Sequence, residues 1–151
     1  MARELNQILE SDPPRDNRAE MSVFACCLLD PQLCEQVAID DFYLGMQGVG
    51  GRMFMELDEI REECDKGEDP TAIFLRRLVF NRGWWRKTFG GSVAVIISKS
   101  LGLHPRVTLF EEYLNRCREA TKYRNEYHAA ERRLVSAVRG WERHKAVEGF
   151  L

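Results

Sequence analysis

Eight residues in one short stretch combine cations with flat rings: Arg76, Arg77, Arg82, Trp84, Trp85, Arg86, Lys87 and Phe89. Guanidinium and ammonium groups attract phosphates, and indole and phenyl rings stack on unpaired bases. The cluster is therefore the candidate contact for nucleic acid. A plainer reading competes with it and is preferred: one of two adjacent tryptophans anchors the core while the arginines stay solvated.

Other chemistry is not spelled out in this chain. No phosphate loop of the G-x-x-x-x-G-K-[ST] kind occurs, because no glycine precedes a lysine anywhere. The glycines Gly45, Gly48, Gly50 and Gly51 lack a following lysine and a preceding strand, so they read as a flexible loop. Acidic pairs such as Asp40-Asp41 and Glu62-Glu63 are ordinary on helix ends and solvated faces. Cys26, Cys27, Cys34, Cys64 and Cys117 form no C-x-x-C pair, and His104, His128 and His144 are not in zinc-site spacing from them. The thiols read as buried or idle groups in a reducing cytoplasm. The expectation is a non-enzyme with no catalytic residue, cofactor or metal.

These residues must be positioned by helices. Pro13 and Pro14 interrupt whatever begins at Leu5, Ile8 and Leu9, so residues 1–15 read as a tail or a short separate turn of helix. Asp16 or Asn17 caps a helix whose buried face is Val23, Phe24, Cys27 and Leu28. Asp30-Pro31 and Asp69-Pro70 each repeat the pattern of a capping carboxylate before proline at the first helical position. Between them, a helix from about Arg52 to Lys66 carries Met53, Phe54, Leu57, Ile60 and Cys64 on one face, with Gly67 as its cap. Asn81 to Phe89 reads as a basic aromatic loop. Gly90-Gly91-Ser92 leads into a helix with Val93, Ile96, Ile97 and Leu101. Val107 to about Arg139 has neither glycine nor proline and reads as one long helix. The expected fold is an all-α helical bundle of about six helices. It divides into the tail (1–15), a globular part (16–105) and the long C-terminal helix with its tail (106–151).

The long helix carries a second candidate site. Tyr123, Tyr127, Ala130, Leu134, Ala137 and Trp141 are spaced 4, 3, 4, 3, 4, which is a heptad-like seam. Such a seam wants another helix against it, and Tyr123, Tyr127, Leu134 and Trp141 are the candidate protein interface. Covering by the domain's own core is the competing reading.

The 151 residues suit one domain; 44% are hydrophobic and 30% charged, a soluble and globular balance. No apolar run approaches the roughly 18 residues of a membrane span, and no signal peptide is visible. The net charge of −2 hides a polarity. Met1 to Pro70 sums to −11 and Thr71 to Leu151 to +9, and Thr71 to Pro105 holds six basic residues and no acid. Either a positive face meets an anionic partner, or the two halves neutralise each other in the fold.

The order of motifs resembles the N-terminal domain of DnaB-type replicative helicases. Asn17, Ala19, Glu20, Val23, Leu28, Leu29, Asp30 and Pro31 match the family's opening helix. Asp41-Phe42-Tyr43 is similar to its Asp-Phe-Tyr, Met53-Phe54 to its Ile-Phe, and Lys66-Gly67-Glu68 with Pro70 to its Gly-Glu-Pro turn. Gly90-Gly91 precedes a short helix as in the family, and Tyr113 with Arg116 to Arg124 resembles its tyrosine-to-arginine helix. The resemblance covers about residues 12–135. The chain departs from the pattern in its glycine-rich insertion, in lacking a histidine after Asp-Phe-Tyr, in Trp84-Trp85 and in the short arm after Gly140. It has no RecA-like motor motifs, so ATP hydrolysis is not carried over. The resemblance implies a cytoplasmic, non-catalytic interaction module of DNA replication. It contacts a replicative helicase, primase or loader, or associates with itself. The alternative is a small nucleic-acid-binding regulator that uses residues 76–89.

Overall fold

The computed structural model describes residues 15–89 and 93–149. They form an all-α fold with no strand among the described residues. The helices are α1 (Asn17–Leu29), α2 (Val49–Glu63), α3 (Pro70–Phe80), α4 (Arg82–Phe89), α5 (Val93–Gly102) and α6 (Phe110–Gly149). Short 3₁₀ turns at Pro31–Gln36, Ile39–Asp41, Gly45–Gln47 and Val107–Leu109 join them. The expected tail and the Gly90-Gly91-Ser92 turn lie outside the described residues. The described residues divide into two units, Asp16–Thr121 and one that holds Lys122–Gly149.

In the first unit, α1 is the central element. Asp16 caps it by accepting the Ala19 amide at 2.9 Å. Ser22 through Leu28 are all buried, more than the one face the spacing indicates. A helix apolar on every side is stable only when other elements surround it. Here α2 and α5 pack against it, and Phe74 of α3 meets Phe24 edge-on at 6.1 Å. At its C-terminal end, the Thr71 hydroxyl donates to the Leu28 carbonyl at 2.6 Å, tying the start of α3 to the end of α1.

Two carboxylate-proline starts behave as the sequence indicates. Asp30 accepts the Gln32 amide and Asp69 the Thr71 amide, each with proline in the first helical turn. The first start opens a 3₁₀ turn rather than an α-helix, with Cys34 buried and Leu33 and Val37 half-buried. Arg61 of α2 pins that turn from the side. Its guanidinium donates to Asp58 at 2.7 and 3.0 Å and to Glu35 at 3.2 Å.

Three sequence expectations need correction. The Gly45–Gly51 stretch is not a loop: it is a 3₁₀ turn running into α2, which begins at Val49. Its glycines permit a close approach, since a Cβ on Gly51 would fall 2.0 Å from the Gly45 carbonyl oxygen, and Gly45 itself has φ +52°. Gly67 does not cap α2, which ends at Glu63 with Cys64 as its C-cap. Gly67 instead makes the following turn with φ +98°. Finally, Asn81–Phe89 is not a loop. The Asn81 carbonyl accepts the Trp85 amide at 3.1 Å, and α4 starts within one residue of the end of α3. Burial of Trp85 outweighs the poor helix propensity of Gly83.

The thiols are core side chains. Cys26, Cys27, Cys34 and Cys117 are buried and Cys64 is half-exposed, all as free cysteines. Burial pushes the Cys26 thiol up to about 11 and the Cys117 thiol up to about 12. A hydrogen bond with Cys34, together with burial, holds the Cys27 thiol firmly protonated.

Candidate functional site

Several of the motif residues serve the fold. Glu20 accepts the Tyr43 backbone amide. Phe42 is buried and stacks on Phe54 at 5.3 Å. Asp41 accepts the Ala38 amide at 2.9 Å and pairs with Arg118 of α6 at 3.4 Å. Arg118 also donates to the Gln36 carbonyl at 2.9 Å. These groups are caps, clamps and core. Among the described residues no three His, Cys, Asp or Glu gather in a way that could hold a metal ion. No helix among them is long and apolar enough to cross a membrane. The candidate residues named from the sequence lie on two surfaces.

The first surface lies on α3 and α4. Trp84 and Trp85 meet edge-on with centroids 5.0 Å apart, yet their environments differ. Trp85 is 2% exposed and Trp84 48%. One tryptophan is thus the core anchor, as expected, and its ring is not open to a stacked base. Trp84 lies under the Arg52 guanidinium at 5.9 Å. Arg76, Arg77, Arg86 and Lys87 are exposed, while the Arg82 and Phe89 side chains lie outside the described set. Glu56 sits beside this group. Partial burial raises its carboxyl above the usual range, against the pull of Arg52 and Arg77. The composition of the stretch did not reveal its most exposed apolar groups, Val79 at 71% and Phe80 at 82%. Their signal was the spacing Leu75, Val79 and Arg76, Phe80 on the side of α3 away from Phe74.

The second surface is the α6 seam within Lys122–Gly149. Tyr123 and Trp141 are 59% and 60% exposed, and Ala130 and Ala137 are exposed between them. Lys145 covers one side of the Trp141 ring at 4.6 Å. Tyr127 and Leu134 are half-buried. The sheltered stripe is rotated from the seam and runs through Tyr127, His128, Glu131, Leu134, Val135 and Val138. At 100° per residue its centre lies about 80° round the helix from Tyr123 and Trp141. Sequence reasoning missed Val135 and Val138; their i, i+3 spacing beside Leu134 was the available signal.

The structure thus places the two sets of candidate residues on different units. It leaves Tyr123 and Trp141 open and takes Trp85 into the core. Comparison of the chain with known protein families matched no family model, and comparisons with curated proteins and with solved structures gave no match.

Proposed function

We propose that this chain is a non-catalytic protein-interaction module of DNA replication that resembles the N-terminal domain of DnaB-type helicases. It acts through the open face of α6, by self-association or by contact with a replicative helicase, primase or loader. One observation carries the reading: Tyr123 and Trp141 stand on one helix face, five turns apart, each more than half exposed. Exposed aromatic groups in a row are what interface centres are made of. Of the motif residues, Glu20, Asp30, Asp41 and Phe42 serve as caps, clamps or core, which leaves the exposed groups of α6 as the candidates for contact. The nucleic-acid reading is weaker, because one of its two indoles is buried.

The test is a pull-down with the tagged protein from lysate of its own source cell, with and without nuclease, beside light scattering of the purified chain. A replication protein retained after nuclease, or a dimer in solution, with either lost in Tyr123→Glu and Trp141→Glu, is the expected result. Nucleic acid as the sole capture, removed by nuclease, sinks the proposal.

A further inference from the structure

The outer face of α3 is a separate surface with a definite chemistry. Leu75, Arg76, Val79 and Phe80 are exposed at i, i+1, i+4 and i+5 and form one continuous stripe on the helix. On α4, Trp84, Arg86 and Lys87 are exposed among the described side chains. Among the described residues, Arg76, Arg86 and Lys87 form no ion pair, whereas Arg61 and Arg118 both do. The reason is local: no acid occurs between Thr71 and Pro105. Mutual neutralisation of the acidic and basic halves is met at Arg118–Asp41 but not at these three cations.

We propose that this face docks an acidic amphipathic helix of a partner protein. Its apolar stripe covers Leu75, Val79 and Phe80, and its flanking carboxylates meet Arg76, Arg86 and Lys87. Two features select this occupant. The unpaired cations ask for anionic groups at the rim of the contact. The exposed aliphatic side chains beside Arg76 on α3 ask for an apolar stripe, since Leu75 and Val79 add nothing to contact with a phosphate or a base edge. A helix with leucines at i, i+3, i+4 and i+7 and glutamates on both sides supplies both. The surface is distinct from the α6 face and stands or falls separately from it.

The experiment uses the full chain and four labelled probes at physiological salt. These are a leucine-stripe peptide flanked by glutamates, the same peptide flanked by lysines, single-stranded oligo-dT, and vesicles of phosphatidylcholine with phosphatidylserine. The glutamate peptide is expected to bind and the other three to bind at least about tenfold more weakly. Val79→Ser with Phe80→Ser, and separately Arg76→Glu with Arg86→Glu, each weaken the glutamate peptide about tenfold or more. Circular dichroism melts confirm that these surface variants fold. Trp141→Glu leaves the affinity unchanged, which keeps this result apart from that of the α6 proposal. Preference for oligo-dT or for the vesicles, equal binding of the two peptides, or no binding of the glutamate peptide overturns the assignment.

Discussion

The two parts of α6 share one helix but not one environment. In Phe110–Thr121, Phe110, Leu114 and Cys117 are buried at i, i+4 and i+7, and Arg118 and Thr121 bond to neighbouring elements. From Lys122 to Val147 none of the described side chains is buried. Apolar residues recur at helical spacing in both parts. The periodicity announces a helix that wants a partner face; it does not say whether that face is inside the unit. The first part gains stability from its apolar side chains, and the second leaves Tyr123 and Trp141 open to solvent.

The strongest way to break this comparison is to truncate one leucine in each part. Leu114→Ala removes a buried side chain and is expected to cost about 2–5 kcal/mol. Leu134 is only half-buried, and Leu134→Ala is expected to cost about 1 kcal/mol. Urea denaturation of both variants measures the difference, and equal losses would mean that the second part is as firmly packed as the first. The adjacent tryptophans give the same contrast without a change of helix. Trp85→Ala is expected to cost about 3–5 kcal/mol and Trp84→Ala about 1 kcal/mol or less.

Hydrogen exchange sharpens the contrast residue by residue. Amides around Leu114 and Cys117 should exchange only through opening of the whole Asp16–Thr121 unit. Those from Ala137 to Ala146 should exchange through local fraying, about a hundredfold faster or more. Uniform protection along α6 contradicts the division.

Much of the first unit was legible in the sequence because its signals are local. A capping carboxylate before a proline, or the spacing Met53, Phe54, Leu57, Ile60, needs no knowledge of distant neighbours. The failures occurred where a tertiary contact overrides local chemistry. Gly51 looks like loop material until the Gly45 carbonyl is seen against it, and Gly83 looks like a break until Trp85 is seen to enter the core. The candidate surfaces were half legible for the same reason. Helical spacing located the seam through Tyr123 and Trp141, but exposure decides which flank of that seam is open. Exposure also singled out Val79 and Phe80, which composition alone had not distinguished.

Through its thiols, alkaline titration probes the Asp16–Thr121 unit and not the stretch after it. An unfolded thiol titrates near 9.0, while burial raises Cys117 to about 12 in the folded protein. A raised folded value means that the stabilisation held by the protonated thiol is complete below pH 9 and is lost as pH climbs toward 12. Thermal melts should therefore fall in midpoint across that window, with Cys26, raised to about 11, adding to the slope. Cys117→Ala should flatten the slope, whatever its fixed packing cost. Residues Lys122 to Leu151 contain no cysteine, so nothing in that stretch contributes to the thiol part of this response.

The smallest expected stability effect is the most informative about function. Tyr123→Ser and Trp141→Ser remove large rings that are already more than half in water, so each should change unfolding free energy by only about 0.5 kcal/mol. Lys145 loses its position over the Trp141 ring in the second variant, a solvent-exposed contact worth about 0.5–1 kcal/mol at most. Affinity should respond differently, because a ring that is mostly in water has most of its burial left to gain on binding. A drop of about tenfold or more in self-association or partner capture, at nearly unchanged stability, separates recognition from packing on this helix. If stability falls with affinity, the open face of α6 belongs to the fold after all, and the contrast between the two parts of the helix is one of degree.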